Sequence, residues 1–418
     1  MEKEFPRKDD VDRLLKEKDN HLIKVITGLR KVGKSYLLST LFKRKLLGLG
    51  VAEDHIINAD LALDENEGLL DRAKLRSYID SRLRDGGHYY LVLDEIQEVD
   101  GFEKLLLSYN AKGNVDLYVT GSNSHNLSSD IDTRLRGSDS QIHLYPISFE
   151  EYLASSSLER EAALTQYLRY GGMPLALLKN DDGERQSYLS NLFQTTYLSD
   201  IEGRHDIRNK PAFERLCDIL SSTVGSLTNP KVLEDTFKTY HFNLTNDTIA
   251  LYLSYLKDSF LFEECKRYDV KGKQYISTPA KYYCGDLGLR NARLAMRDVE
   301  YQQLLENVIY LELRRRGCLV DVGVVPVEII DPISKARTYQ SYEIDFVVNK
   351  GNKKVYLQAA MDLSKSGKEA QETRSFDHTG DHFAKFIVLK EPGHPGGFDE
   401  KGHFVISLAD FLLNKELI

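Results

Sequence analysis

An α/β fold with a parallel sheet at its head is predicted by three features of this 418-residue sequence. Apolar runs of strand length alternate with segments of helical spacing through the first 155 residues, the pattern of a parallel sheet flanked by helices. Where the first run gives way to a helix, residues 28–35 read GLRKVGKS, which fits Gly-x-x-x-x-Gly-Lys-Ser. A later run, residues 90–93, closes on the acid pair Asp94-Glu95. Parallel strands would gather these ends on one edge of the sheet.

Taken in order, residues 1–20 read as a leading helix with Val11, Leu14 and Leu15 on one face. Residues 21–46 follow as an apolar strand, a glycine turn and an amphipathic helix. Residues 56–60 (IINAD) suit a short strand, and residues 69–83 have helical spacing. Residues 89–99 (YYLVLDEIQEV) are a continuous apolar run ending in acids. Residues 116–123 (DLYVTGSN) repeat that design with a polar end, and residues 142–153 supply another strand and a helix. From 155 to 205 the pattern is helical, broken at Gly171-Gly172-Met173-Pro174. Three helix-like segments and a hairpin-like pair, FLFEECKRY and KQYIST across residues 269–272, fill 206–290, in the order of a winged helix-turn-helix. The last block opens with a helix over 301–316, and strand candidates follow at LVDVGVVPVEII, YEIDFVVNK and KKVYLQAAM.

Composition narrows the classes. Lys and Arg number 56 against 64 Asp and Glu, a formal charge of −8, which argues against coating nucleic acid by bulk charge and leaves a local basic patch open. No run approaches the length of a transmembrane helix. The polar start, MEKEFPRKDD, lacks the apolar centre of a signal peptide, so a cytoplasmic protein is expected. Cys217, Cys265, Cys284 and Cys318 are far apart and read as isolated buried thiols of a reducing cytosol. The histidines form no cluster of metal-ligand spacing, which disfavours a zinc enzyme.

The chemistry concentrates in the first block. Glycines let successive backbone N–H groups curl around a phosphate at the positive end of the following helix. Gly28, Arg30, Lys31, Val32, Gly33, Lys34, Ser35 and Tyr36 are therefore the expected nucleotide-binding residues. Lys34 would reach the β- and γ-phosphates, and the Ser35 hydroxyl would ligate Mg²⁺. Asp94 would hold Mg²⁺ through water, while Glu95 would orient and deprotonate the attacking water. Ser122 and Asn123, ending the next strand, would sense the γ-phosphate or position the water; a plain polar turn explains them too. Arg134 or Arg136 would stabilise transition-state charge, in cis or from a neighbouring subunit, or else be solvated surface.

The order GLRKVGKS, LVLDEIQ, VTGSNS and LYPISFEEY resembles that of an AAA+ family ATPase of bacteria and archaea, over nearly the whole chain. The resemblance implies an ATPase core over 1–155, a helical lid over 156–205, a winged helix over 206–290 and a restriction-endonuclease-like α/β domain over 291–418. Gly172-Met173-Pro174 matches the Gly-x-Pro motif that related signalling ATPases place against the adenine, which makes Pro174 the candidate base contact. Where relatives often have Gly-Arg, this chain reads Gly137-Ser138, so an arginine finger must come from Arg134 or Arg136, or be absent.

A nuclease core of that last kind needs an acid on one strand and an acid-x-Lys triplet on the next. Asp345 in Glu343-Ile344-Asp345-Phe346 supplies the first acid, and Glu306 on the preceding helix is an additional ligand candidate. Gln358 stands where the second acid belongs and Ala360 where the lysine belongs, so an inactive nuclease is expected, unless Asp362 or Lys365 has moved into the role. In the winged-helix segment, residues 245–260 carry Asp247, Lys257 and Asp258 with Tyr252 and Tyr255 between, a poor phosphate surface; the wing, with Lys266, Arg267, Lys271 and Lys273, suits DNA better.

The leading expectation is Mg²⁺-dependent hydrolysis, ATP + H₂O → ADP + phosphate, driving a conformational switch in the C-terminal domains. The alternatives are an ATP-gated DNA nuclease and a nucleotide-stabilised DNA- or protein-binding module with little turnover. ATP is the expected ligand. DNA through the winged helix, a protein partner and an oligomer all stay open.

Overall fold

In the computed structural model, which describes residues 4–121, 135, 137–297, 301–330, 337–362, 372–390 and 396–418, the apolar runs of the N-terminal block become one parallel sheet. β1 (Ile23–Thr27), β2 (Ile56–Asp60), β3 (Tyr89–Asp94), β4 (Val115–Thr120) and β5 (Asp139–His143) lie in the order β2-β3-β4-β1-β5. All four pairings are parallel. β1, β3 and β4 are buried along their whole length, so their apolar residues do not alternate with exposed polar ones, and the charges within β1 and β4, Lys24 and Asp116, are buried as an ion pair. β4 lies between the strand that leads into Gly28 and the strand that ends in Asp94. Its last residue, Thr120, is opposite Ile26 of β1, and Val119 is opposite Leu93 of β3. The carboxyl ends of the three strands therefore share one edge.

The helix after β1 runs as Lys34–Tyr36, a π-wound stretch Leu37–Phe42, and Lys43–Gly48. Helix Arg72–Asp80 starts at Asp71, whose carboxylate accepts the N–H groups of Ala73 and Lys74. Leu75, Ile79, Leu105 and Leu106 from the helices meet Val25, Leu91, Leu93 and Leu117 from the sheet in the core. The leading helix is shorter than expected, Lys8–Lys16, because Arg7 before it adopts a left-handed backbone.

The chain divides into two compact units, Met1–Ile147 with Lys257–Phe260, and Ser148–Leu256 with Leu261–Ile418. The second unit opens with helices Phe149–Ser155 and Arg160–Tyr170, and a short one, Pro174–Leu177, follows the glycine break. Helices Lys210–Ser222, Pro230–Thr239 and Asn246–Asp258 accompany a nine-stranded mixed sheet, whose first short strand falls between the first two of them. Its strands are β6 (Leu227–Thr228), β7 (Phe262–Asp269), β8 (Gln274–Cys284), β9 (Leu319–Ile330), β10 (Arg337–Lys350), β11 (Lys353–Ala360), β12 (Ala384–Leu389), β13 (Gly397–Phe398) and β14 (Phe404–Ser407). They run β13-β14-β12-β11-β10-β9-β7-β8-β6. The hairpin β7–β8 joins the C-terminal strands through parallel pairing of β7 with β9.

β8 outruns the expected KQYIST. A proline, lacking its N–H, argues against a continuing strand. Here Pro279 falls where the β7–β8 register shifts, between the pairs Arg267↔Ile276 and Cys265↔Lys281, and the ladder resumes beyond it. Helix Tyr301–Arg315 packs on β8 through β11. All four cysteines are buried free thiols, and among the described residues no helix is long and apolar enough to cross a membrane.

Candidate functional site

The loop between β1 and its helix is shaped by backbone that only glycine tolerates at its first position. Gly28 has φ +138°, and a Cβ there would come within 2.4 Å of the Leu144 carbonyl oxygen. The loop thus lies against the chain leaving β5. Lys34, 4% exposed, folds back so that its Nζ donates to the carbonyls of Gly28 at 3.0 Å and Leu29 at 3.1 Å. Those are bonds that an incoming phosphate would replace. Val32 is buried, whereas Lys31, Ser35 and Tyr36 are exposed, and Tyr36 donates to Glu4. Arg7 holds the loop from behind: its guanidinium donates to the carbonyls of Val32 at 2.7 Å and Tyr145 at 2.6 Å. Nothing local in the sequence marks Arg7, because its partners lie 25 and 138 positions away.

Facing the loop's serine is a hydrogen-bonded cluster. Asp94, at the end of β3, accepts from the hydroxyls of Ser35 and Thr120. Thr120 Oγ1 in turn accepts the N–H of Glu95 at 2.9 Å. Burial pushes the Asp94 carboxyl above its usual range, against those two hydroxyl bonds, and the charges of Glu95 and Asp60 push the same way. A cation beside it would relieve that cost. Glu95 itself has φ 52° and ψ 48°, a left-handed backbone costing a non-glycine residue about 1–3 kcal/mol. Strain of this kind clusters at working sites, and here it accompanies a carboxylate that accepts from the Gln97 amide. The hydroxyl and carboxylate oxygens of Ser35 and Asp94 are the hard donors Mg²⁺ takes, so the residues present fit the ion.

The structure thus brings Gly28, Lys34, Ser35, Asp94 and Glu95 to one sheet edge and adds Thr120 as the link between the two acids. In the sequence Thr120 shows only as the end of a strand, because its partners Asp94 and Glu95 lie 26 and 25 positions away. Ser122, Asn123, Arg134 and Arg136 lie outside the described residues, as does Lys365. Pro174 belongs to the second unit, where it starts helix Pro174–Leu177. The glycine turn before it is tied down by Asp286, which accepts the N–H of Gly172 at 2.7 Å and of Leu289 at 3.0 Å.

In the C-terminal core, Asp345 and Glu306 come together, and Gln358 and Ala360 sit on the neighbouring strand β11. The Gln358 side chain accepts the Asp345 N–H at 3.3 Å, and the Asp345 carboxylate accepts the Ala359 N–H at 2.9 Å. The unexpected member is Lys281 of β8. Its Nζ lies 3.0 Å from Glu306, 2.8 Å from Glu343 and 3.6 Å from Asp345. Burial, with Glu306 next, raises the Asp345 carboxyl, although Lys281 opposes it. Burial works against the Lys281 charge, but Glu306, Asp345 and Glu343 outweigh it and raise that ammonium. On helix Asn246–Asp258, Tyr252 is buried and Tyr255 stacks on His205 with ring centroids 3.7 Å apart. At the β7–β8 hairpin, Lys266, Lys271 and Lys273 are exposed, and Lys271 donates to the Pro326 carbonyl at 2.7 Å.

Comparison with known proteins bears on the N-terminal sheet. Residues 20–153 match the family model described as an AAA domain, and residues 161–300 match that of a domain of unknown function. An uncharacterized protein of Haemophilus influenzae is 30% identical over 413 residues, covering 97% of this chain and 98% of the relative. An uncharacterized protein of Methanocaldococcus jannaschii is 28% identical over 365 residues, covering 84% and 77% respectively. A solved Walker-type ATPase of Pyrococcus abyssi shares the fold, with a TM-score of 0.50, 15% identity, and coverage of 70% of this chain and 96% of that one. The N-terminal α/β sheet is thus a P-loop ATPase fold.

Proposed function

Because the chain belongs to the family of the Haemophilus influenzae protein, and its residues 20–153 match an AAA domain, we propose that it is an Mg²⁺-dependent ATPase whose turnover switches the second unit. The observation that carries the reading is the hydrogen-bonded set Ser35, Asp94, Thr120 and Glu95 beside the loop that holds Lys34. In this reading the loop N–H groups of Arg30 to Tyr36 cradle the phosphates, and Lys34 leaves the Gly28 and Leu29 carbonyls for the β- and γ-phosphate oxygens. Ser35 and Asp94 would hold Mg²⁺, which when bound screens charge on those phosphates. Glu95 orients the attacking water and takes its proton, its position fixed by the N–H bond to Thr120. Asn123 and Arg136 keep their proposed roles at the γ-phosphate, with Arg134 as the alternative arginine, and Pro174 is the residue proposed for the adenine.

For the second unit we read residues 156–205 as the lid, 206–290 as a winged helix and 291–418 as a restriction-endonuclease-like domain without nuclease activity. Ala360 supports the last point, since a methyl group neither activates water nor neutralises a phosphate. DNA at the wing lysines, a protein partner, an oligomer and a cytoplasmic location belong to the same proposal.

Phosphate release from the full-length protein tests it. Glu95→Gln is expected to keep nucleotide binding and to lose turnover by about 100-fold or more, while Lys34→Ala loses binding. Turnover retained by Glu95→Gln would assign the base elsewhere, and ATP bound unchanged by Lys34→Ala would overturn the loop assignment. Stimulation by duplex or single-stranded DNA would make nucleic acid the working partner.

A further inference from the structure

A carboxylate that takes a proton from water must be aimed, and the turn after β3 shows what aims Glu95. The chain leaves Glu95 in its left-handed backbone and enters a short 3₁₀ turn, Ile96–Glu98. The Glu98 N–H bonds the Glu95 carbonyl at 3.1 Å, and the Val99 N–H bonds the Ile96 carbonyl at 3.1 Å. Ile96 and Val99 are both fully buried, so the turn is closed on itself and rooted in the core. Gln97, between these two anchors, is half-buried, and its side chain turns back on Glu95. Its amide N–H donates to one oxygen of the Glu95 carboxylate. An ionised carboxylate only accepts, which fixes the end of the amide that faces it. The other end, Gln97 Oε1, is buried and receives no donor among the described residues.

A buried acceptor without a donor costs about 1–3 kcal/mol, so this oxygen calls for an explanation. Two roles compete for the side chain. A brace for the turn needs the N–H bond alone and gives the oxygen no work. The second role uses both ends of the amide. A water that gives one proton to Glu95 and the other to Gln97 Oε1 has its lone pairs turned away from both acceptors, in the direction of attack. A carboxylate has about four acceptor sites, so the bond from Gln97 leaves room for that water. On the ATPase reading, on which this inference rests, we propose that Gln97 positions the attacking water together with Glu95. Its N–H holds the carboxylate, and its carbonyl oxygen accepts the water's second proton. The water oxygen bonds the γ-phosphorus as the bond from that phosphorus to the β,γ-bridging oxygen breaks. One water proton passes to Glu95, the other stays on the phosphate formed, and ADP leaves.

Gln97→Met keeps the length of the side chain and removes both hydrogen-bonding ends. In phosphate release by the full-length protein at saturating ATP and Mg²⁺, it is expected to lower kcat by about 10–100-fold, with ATP affinity and Tm unchanged. Added to Glu95→Gln, it should lower the residual turnover no further, because both changes act on the same water. The loss of a brace behaves otherwise: it lowers Tm or ATP affinity and adds to the effect of Glu95→Gln. If Gln97→Met unfolds, Gln97→Asn retains the amide one methylene short of its partners and must show the same loss of kcat at native Tm. Unfolding of both variants makes Gln97 a brace and overturns the proposal. Full kcat in a folded variant, or a loss that adds to Glu95→Gln, overturns it and leaves the ATPase reading standing. A wild-type protein without Glu95-dependent phosphate release removes that reading and this inference with it.

Discussion

Asp286 accepts main-chain N–H groups from Gly172 and Leu289 while being only 1% exposed. Those bonds favour the carboxylate, yet burial is the larger effect and pushes the acid from 3.8 up to about 6. The folded chain therefore holds this proton more tightly than the unfolded chain does. The resulting stability is fully present below the unfolded value near 3.8 and is lost as pH rises through about 6. Comparison with Asp286→Asn isolates it, because other titrating groups cancel in the difference. Between pH 7 and pH 5 the urea stability of wild type relative to Asp286→Asn is expected to rise by about 1 kcal/mol. A flat difference would mean that the carboxylate stays ionised and that its backbone bonds outweigh burial. Asp94 is raised for the same first reason, but it stands beside Ser35, where a cation can compensate it. Two buried acids thus do different work: one fixes a turn, and the other marks a place for positive charge.

Helix Leu287–Arg293 shows how one element is fixed to another through its backbone. A Cβ added at Gly288 would come within 2.0 Å of the Tyr170 carbonyl oxygen, so the helix lies directly on the end of helix Arg160–Tyr170. Asn291 Nδ2 donates to the Leu168 carbonyl at 3.0 Å and the Arg169 carbonyl at 2.8 Å, satisfying acceptors that a helix end leaves open. Arg290 Nε reaches the Ser221 carbonyl at 2.8 Å. Gly288→Ala must push the two helices apart and is expected to cost about 1–3 kcal/mol, measured as a lower urea midpoint. An unchanged midpoint would show that the contact yields freely. None of these contacts was legible in the sequence, where residues 171–174 read as a break in the helical pattern and as a Gly-x-Pro match. Local periodicity reveals which residues face a core, but not which distant side chain will satisfy a helix end. The first unit was more legible because its information is local: β1, β3 and β4 are mostly apolar, with the buried pair Lys24 and Asp116 inside β1 and β4, and Gly28, Lys34, Ser35, Asp94 and Glu95 follow at fixed spacing. Lys281 and Arg7 escaped notice for the opposite reason, since each gains its meaning from partners on remote segments. Pro279 also concealed the length of β8, since a register shift is visible only once both strands are paired.

At the scale of the molecule, the loop, Ser35, Asp94, Thr120 and Glu95 all belong to the first unit, while Pro174, Asp286 and the Lys281 cluster belong to the second. The chain passes between the units at 147/148, 256/257 and 260/261. A switch requires that ATP favour one state of the second unit, and the second unit's state must then alter ATP affinity by the same factor. Hydrolysis alone requires no such link, so the two halves of the proposed function separate experimentally. Glu95→Gln, which is expected to hold ATP without cleaving it, provides the trapped state. With ATP and Mg²⁺, amide exchange in this variant is expected to slow not only over residues 28–36 but also over residues 160–178 and 286–293, relative to ADP. The second of those regions holds the glycine turn, and the third holds the carboxylate that pins it. Slowed exchange confined to the first unit would leave an ATPase whose second unit does not read the γ-phosphate. Gly288→Ala gives the reciprocal measurement: if the helix contact takes part in the switch, loosening it must change ATP affinity in the first unit although no residue there has been altered.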